Sequence, residues 1–386
     1  MNILHLTHTD INSDSRILKE MNTVANFFNE YRVVGIGIGQ NEESHKTKTS
    51  SKIEIYSILL RSRNWEYLPR VIRHTYSLIE LTYKMLYKAL KIKPQIIHCH
   101  DTLVLPLGVI VKFFTGSKLI YDAHELESDR NGLTKTLGNM TLFTEKLLFK
   151  LIDRLIVVSP SILKWYNKNI GEKPAEIILN SPILKQDIYD RDKLYFRQKF
   201  SIPENLKIFL YIGGFSRGRG IDLVIEAFKK KDVSSHVIFL GYGQLKDKLV
   251  DLSSHYSNIH VHDAVPHEEV VSIARSTDVG LCFIENVSLS DYYCLPNKLF
   301  EYVFAEIPVL ASNFPDISSV MSKYNLGKCS DLDPESIYKA IKEFELMKKL
   351  PKINSQDLYD LSWGMQEKKL INLYQSVMQE IKKEKK

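Results

Sequence analysis

Two rhythms alternate along this chain from end to end. Short apolar runs rich in Ile, Val, Leu and Phe are separated by longer stretches with apolar residues three and four apart. That is the pattern of parallel strands joined by crossover helices. In the first half, strands are predicted near residues 3–6, 32–38, 53–58, 95–98, 118–122, 154–158 and 176–179. In the second half they are predicted near residues 207–212, 236–240, 258–261, 279–283 and 309–311. Ser159-Pro160 caps and opens the helix after the sixth strand. The polar, proline-bearing stretch from Asn180-Ser181-Pro182 to about residue 190 separates the halves. The expected division is a doubly wound domain over 1–182, a second over 183–362, and a terminal helix over 363–386. Leu370, Leu373, Tyr374, Val377 and Ile381 carry the helical spacing of that last segment.

At 386 residues, two domains are the default. Charge changes the picture locally. The chain's net charge is +6, and eight Lys/Arg against Glu66 and Glu80 between Arg61 and Lys93 supply an equal excess in one segment. Leu68, Ile72, Ile79, Tyr83, Leu86 and Leu90 fall near one helical face there. A surface helix covering a sheet fits this spacing, and so does docking to an anionic membrane surface. Basic and aromatic residues are otherwise spread evenly, which argues against nucleic acid. Cys99, Cys282, Cys294 and Cys329 show no paired spacing, so a disulfide scaffold is not expected and a reducing cytosol fits. The N-terminus enters a strand directly, without the pattern of a signal peptide. The longest apolar run, 103–111, is too short to span a bilayer. The expected location is cytoplasmic, with peripheral attachment to the inner membrane face left open.

Candidate chemistry concentrates at Pro296-Asn297-Lys298-Leu299-Phe300-Glu301-Tyr302. Pro296 suits the first turn of a helix. Lys298, Glu301 and Tyr302 then share one face near its positive end, where an anion and a diol would both be satisfied. A nucleoside diphosphate carries both. The segment is similar to the nucleotide-binding signature of family 4 glycosyltransferases, in the branch reading "PNK-x-FEY". That resemblance implies the GT-B fold: two Rossmann-like α/β domains facing a cleft, with a C-terminal helix returning to the N-terminal domain. It also implies a retaining enzyme that uses a nucleotide-sugar donor. Glu301 matches the second of the family's two glutamates, while Tyr293 stands where the first would be. Leu295, Pro296 and Asn297 belong to the same donor-side signature. Glu306 occupies the position of a family Gly, where a left-handed residue would cost Glu about 1 kcal/mol.

Further residues join this reading. Gly213-Gly214-Phe215-Ser216-Arg217-Gly218-Arg219-Gly220 connects a strand to a helix. It fits an ordinary glycine-rich turn or a phosphate clamp, its glycines allowing close approach and its arginines forking onto phosphate. By the resemblance, Arg219 stands at the family's Lys/Arg before Gly, Arg217 assists, and the family's earlier Arg is Gly214. Gly241-Tyr242-Gly243 resembles a turn near the nucleotide, and Val265-Pro266 lies where the family's backbone meets the base. Gly35-x-Gly37-x-Gly39 mimics a dinucleotide fingerprint but runs into a polar loop. Asp331-Leu332-Asp333 mimics a manganese motif, yet Pro334-Glu335 after it reads better as a capped helix start.

In the first half, His124 follows a strand, where it could serve loop packing or bond sugar hydroxyls. Its setting, Tyr121-Asp122-Ala123-His124-Glu125, resembles the family's "D-x-H-E" element, which places His124 by the donor sugar and lets Glu125 orient it or meet the acceptor. His98 and His100 alternate on one strand face and could pair as metal ligands, with no third or fourth ligand evident from sequence. His98-Cys99-His100-Asp101 is therefore read as a cleft-lining or structural turn. Asp10 and Arg16 lie in a loop resembling the family's first βα loop, although Arg16 could equally pair with a local carboxylate. No metal or other cofactor is expected; the nucleotide sugar is a substrate. The function expected is transfer of a sugar to an acceptor hydroxyl of a glycan or lipid-linked acceptor, as in surface polysaccharide or glycoconjugate synthesis. The alternatives are a non-hydrolysing sugar-nucleotide 2-epimerase and a non-catalytic nucleotide-sugar-binding partner of another transferase.

Overall fold

Strands buried on both faces need helices on both sides, and runs such as 208–212 and 237–240 are apolar residue by residue. The computed structural model describes residues 1–39, 43–46, 52–183, 193–351 and 353–384. Contacts divide the chain into two units, residues 1–178 with 367–386, and residues 179–366. The stretch expected to separate the halves lies largely outside the described residues, from 184 onward.

The first unit contains β1 (Asn2–Asp10), α1 (Ser15–Phe27), β2 (Arg32–Ile38), β3 (Glu43–Lys46), β4 (Ile53–Ile58), α2 (Arg70–Ile92) and β5 (Ile96–His100). It continues with α3 (Leu105–Thr115), β6 (Lys118–Ala123), α4 (Lys135–Leu148), β7 (Arg154–Val157), α5 (Pro160–Asn169) and β8 (Ala175–Ile177). The sheet order is β3-β4-β2-β1-β5-β6-β7-β8, parallel except for the β3–β4 pair. After β1 the chain moves outward through β2, then returns to the other side of β1 at β5. The strand order therefore reverses between β1 and β5, the place where open α/β sheets leave a crevice at the strand carboxyl ends.

The second unit contains α6 (Tyr195–Phe200), β9 (Ile208–Gly214), α7 (Ile221–Phe228), β10 (His236–Tyr242), α8 (Lys246–His255), β11 (Ile259–Asp263) and α9 (Val270–Ala274). Next come β12 (Val279–Cys282), α10 (Leu289–Tyr292), α11 (Asn297–Phe304), β13 (Val309–Ser312), α12 (Pro315–Lys323), β14 (Gly327–Ser330), α13 (Pro334–Leu346) and α14 (Ser355–Asp360). Its order, β11-β10-β9-β12-β13-β14, reverses between β9 and β12. α15 (Trp363–Glu384) begins in this unit and continues in the first, where Thr23 bonds Glu367 and Arg154 pairs with Glu380.

Two strands escaped the sequence pattern, β3 and β14. Both are short and polar, and each is an edge strand held by one neighbour, so neither shows the apolar run that reveals a buried strand. Gly35 and Gly37, the false fingerprint, lie within β2. A Cβ at Gly35 would sit 2.5 Å from the Ile11 side chain, so these glycines admit the loop after β1 rather than a ligand. Two expectations about the 296–302 segment need correction. Pro296 caps α11 in an extended conformation instead of opening it. Tyr302 is absent from the ligand-facing side. It is fully buried against Gly280, its hydroxyl donating to the Leu210 carbonyl at 2.8 Å and accepting from the Ile212 N–H at 2.9 Å. It thereby satisfies backbone groups where β9 and β12 part. Glu306 does adopt the left-handed conformation, φ 60°.

The Tyr302 brace depends on the missing side chain beneath it. A Cβ on Gly280 would stand 2.2 Å from the ring. Gly280→Ala should destabilise the protein by about 1–3 kcal/mol through overpacking, read as a fall of several degrees in melting temperature. An unchanged melting curve would show that the ring has room to move.

Candidate functional site

Register decides which polar groups meet in the first unit. Pairing of β1 with β5 sets His5 beside His98, and pairing of β5 with β6 sets His100 beside Asp122. The three rings cluster, with His98 and His100 stacked at a centroid distance of 4.4 Å and His5 tilted against His98 at 4.8 Å. All three are buried, and burial holds each imidazole below its usual pKa and hence neutral. Asp122 is equally buried. Arg16, projecting from α1, forks onto both its oxygens at 3.0–3.2 Å and donates a further bond to the Ile178 carbonyl. Burial opposes ionisation of Asp122, but Arg16 and then His124 outweigh it and keep the carboxylate charged. Glu20 lies one helical turn from Arg16, 3.2 Å away, and fully buried. Burial and the neighbouring Asp122 push its pKa up to about 8.

His124 ends this assembly at a half-buried position. Its Nε2 is 3.1 Å from His100 Nδ1 and 3.2 Å from Asp122, and its Nδ1 is 3.6 Å from Asp101. Burial disfavours charge on the ring, yet Asp101 and Asp122 overcome it and raise the pKa to about 10. His124 is therefore an imidazolium at neutral pH. Asp101 adopts φ 69° and ψ 161°, a region favoured by glycine and costing other residues about 1–3 kcal/mol. Its amide N–H bonds the Asp122 carbonyl, which fixes that turn.

With His124 doubly protonated, one set of tautomers satisfies every close contact. His124 Nε2–H serves Asp122 and His100 Nδ1; His100 Nε2–H donates to His5 Nδ1 at 3.0 Å. His5 Nε2–H then reaches the Tyr374 oxygen at 3.3 Å, and the Tyr374 hydroxyl donates to His98 Nδ1 at 2.9 Å. His98 Nε2–H is left facing Glu20 and Asp122 at 3.6 Å. His5, Glu20, His98 and His100 together could offer a metal four ligand atoms within 4.8 Å of one another, and His100, Asp122 and His124 could offer three. The sequence showed only the His98/His100 pair. In either group a metal ion would have to displace ring-to-ring hydrogen bonds that already use the imidazole lone pairs.

The second unit gathers a different set around the β9–β12 divergence. Lys298, in the first turn of α11, sits with its ammonium 4.1 Å above the Tyr211 ring and donates to the Phe283 carbonyl at 3.3 Å. Glu301 is one turn on, 3.7 Å from His267. Arg219 is 41% exposed and lies 3.7 Å from Asp291, whose carboxylate also accepts the Ser288 hydroxyl. Phe283 ties these groups together, since Lys298 bonds its carbonyl and a Cβ on Gly220, next to Arg219, would lie 2.5 Å from its side chain. Cys294 feels the charges of both Arg219 and Lys298, while Cys282 feels those of Lys298 and Glu301. Burial raises both thiols, Cys282 to about 12, so neither is a nucleophile at neutral pH. The loop from Gly213 to Gly220 is held by Glu285, which accepts the Gly220 N–H at 3.0 Å and donates its own N–H to the Gly218 carbonyl. Gly213, at φ 131°, has open space where a Cβ would be. Gly241 packs against its carbonyl so closely that a Cβ there would lie 1.9 Å away.

The predicted residues thus separate into groups. Lys298 and Glu301 lie one turn apart on α11 and the Arg219 loop packs beside them at Phe283, while Gly213, Gly214, Gly241 and Gly243 border the adjoining turns. Arg217 lies in the same loop, and Asn297 is exposed at the start of α11. Tyr293 follows α10 as its cap, and Val265 packs partly buried on the unit's core. Leu295 is inside that core, so its side chain supports the loop and does not meet a ligand. His124 and His100 are in contact, but His100 is buried behind His124 and lines no surface. Arg16 is likewise sealed by Asp122 and Glu20 and cannot close over a phosphate. Asp10 is exposed and accepts from Asn12 in a local turn; Glu125 is exposed beside His124. Asp333 caps α13 and accepts the Ser336 N–H. Sequence reading missed His5, Glu20 and Tyr374. The available signal was a polar residue inside an apolar strand or on the apolar face of a helix.

Residues 192–357 match the family model of glycosyl transferases group 1. Solved structures match nearly the whole chain. Sucrose-phosphate synthase from Thermosynechococcus elongatus is 14% identical, with a TM-score of 0.78 over 98% of this chain and 99% of that one. HepE of Anabaena in complex with UDP-glucose is 12% identical, with a TM-score of 0.71 over 97% of this chain and 100% of that one. An E. coli structure, trehalose-6-phosphate bound with UDP-2-fluoro glucose, is 10% identical, with a TM-score of 0.65 over 98% of this chain and 96% of that one. No curated protein matches the chain by sequence.

The buried carboxyl Glu20 makes stability depend on pH in a defined direction. Its folded pKa, about 8, lies above its ordinary 4.5, so its contribution is complete below about pH 4.5 and is lost as pH rises towards 8. His124 has the same sign, losing its contribution between 6.5 and about 10. Glu20→Gln should therefore flatten the fall in unfolding free energy between pH 6.5 and 8, measured by denaturant titration at each pH. Parallel profiles for wild type and variant would mean that Glu20 titrates normally.

Proposed function

We propose that this glycosyltransferase of the GT-B fold, with its group 1 domain over residues 192–357, transfers a sugar from a nucleoside diphosphate to an acceptor hydroxyl with retention of configuration. The observation that carries the proposal is that Lys298 and Glu301, one turn apart on α11, lie beside Phe283, against which the Arg219 loop packs at Gly220. The sugar complexes of the structural relatives named above are consistent with a nucleotide sugar as donor. Glu301 would accept the two ribose hydroxyls, and Arg219 and Lys298 would hold the diphosphate. Lys298 is already oriented by Tyr211 and Phe283, so little reorganisation accompanies binding. The open flank at Gly213 and Gly214 lets the phosphates approach the backbone.

Bond breaking at the sugar C1 leaves both electrons on the diphosphate oxygen. The two fixed cations stabilise that growing charge, a role that needs no metal ion. The acceptor oxygen then forms its bond to C1 on the face the diphosphate leaves, and its proton passes to the departing phosphate. In the first unit, His124 is an imidazolium held by Asp101 and Asp122. An acceptor that is a glycan or a lipid-linked precursor, as in surface glycoconjugate synthesis, completes the proposal.

The purified protein should release nucleoside diphosphate from one member of a panel of nucleotide sugars when given an acceptor. Arg219→Ala and Glu301→Ala should each lower kcat/KM about 10²–10³-fold. Arg219 is exposed enough that its variant should melt close to wild type. Near-normal transfer by both variants would remove the donor site. A changed sugar on intact nucleotide would indicate an epimerase, and tight binding without turnover a non-catalytic partner.

A further inference from the structure

On one face of the first unit, the outer helices break the usual rule for a surface. α2, α3 and α4 follow β4, β5 and β6, which succeed one another in the same direction across the sheet, so right-handed crossovers put all three on one side. They pack as neighbours, α2 on α3 and α3 on α4. Their outward residues are apolar and aromatic. Phe113 and Phe114 of α3 are 84% and 67% exposed, Phe143 of α4 is 68% exposed, and Val71 and Tyr83 of α2 are 77% and 70% exposed. Through its first turns α2 exposes Val71, Ile72, Tyr76 and Ile79 around much of its circumference. A helix this apolar is normally covered, and exposed apolar residues gathered on adjacent helices mark an interaction surface.

Charge identifies what covers it. The three helices carry eight Lys/Arg and two carboxylates, Glu80 and Glu145. Neither carboxylate is available. Glu145 is buried and accepts from Tyr121 and Tyr166, and Glu80 accepts the backbone N–H groups of Arg61 and Ser62 and pairs with Lys84. Cations alternate with aromatic rings along α2, where Lys91 lies 4.2 Å over Tyr87. A buried protein–protein interface excludes lysine. A bilayer surface favours this mixture, with rings and aliphatic stems at headgroup depth and ammonium groups reaching the lipid phosphates. No helix among the described residues is long and apolar enough to cross a membrane.

We infer that the α2–α3–α4 face docks onto an anionic lipid bilayer, Phe113 and Phe114 entering the acyl boundary and the α2 cations pairing with headgroups. The inference stands apart from the transferase reading, since docking requires no donor.

The full-length protein should sediment with phosphatidylcholine vesicles that contain phosphatidylglycerol, and much less with phosphatidylcholine alone. Raised salt should release it, because the cationic part is screened. Emission of the exposed Trp65, beside Tyr67 and Tyr76 at the start of α2, should shift to the blue on binding. The double variant Phe113→Ser/Phe114→Ser should lower partitioning at least about tenfold, and Arg70→Gln/Arg73→Gln about fivefold per charge removed. Both should leave the melting temperature unchanged, since these side chains are outside the core. Equal binding by wild type and the Phe double variant, or no binding of wild type to anionic vesicles, would overturn the inference. So would a stable dimer in light scattering that the Phe double variant converts to monomer, which would assign the face to a second copy of the chain.

Discussion

A charged carboxylate deep in a protein must be neutralised where it stands, and in the first unit that requirement falls on Asp122. Arg16 meets it from α1 with a two-pronged bond, and the rest of the polar interior is arranged around this pair. Glu20 can be buried beside two other charges only by remaining protonated near neutral pH. The neutral rings of His98 and His100 fit against Asp122 because their neighbours already supply the positive charge. His124 takes the last position, where Asp122 and Asp101 both favour its protonation. Replacing Arg16 by an uncharged residue would strip the carboxylate of its two-pronged cation and leave it facing the neutral rings of His98 and His100, so its place is set by electrostatics before any ligand is considered.

The second unit solves the same geometric problem with a neutral phenol beneath its buried Lys298 and Glu301. Where β9 and β12 diverge, backbone groups lose their partners, and the Tyr302 hydroxyl supplies them from below. That frees the carboxyl ends of the strands to support Lys298 and the glycine loop. Tyr302 and Glu301 are adjacent in sequence but face opposite environments. One holds the sheet together, and the other faces the neighbourhood shared with Lys298. Both units thus place their polar groups where the strand order reverses, one using histidines and a salt bridge, the other a phenol and glycines.

The strands were legible where they are buried on both faces, because a parallel sheet writes itself as unbroken apolar runs. β3 and β14 were illegible for the opposite reason. Lys298 and Glu301 could be read because helical spacing is local, and three residues along a helix return to the same side. The histidine cluster could not be assembled in that way. His5, Glu20, His98, Asp122 and Tyr374 come from five elements, and only strand order and register bring them together. Arg16 illustrates the limit most plainly. Its partner lies 106 residues further along the chain, and no local pattern distinguishes a sealed guanidinium from one waiting for a phosphate.

The two faces of the first unit's sheet also differ in what they are made to meet. Where the C-terminal helix α15 joins this unit, it brings its own carboxylates, with Glu380 on Arg154 and Glu384 on Lys118. Cations there are answered within the chain. Among the described residues, most of the cations on α2, α3 and α4 have no such answer, and the apolar residues between them are exposed. A protein that balances charge so closely along α15, and even spends the two carboxylates of the three outer helices internally, is not short of ways to make a neutral polar surface. The asymmetry follows if one face is completed by the chain itself and the other by something outside it that is both anionic and apolar. Tyr374 adds a consequence for chemistry: the helix that completes the first face also donates to His98 and accepts from His5. The hydrogen-bonded chain that begins at His124 therefore ends on the last helix of the chain.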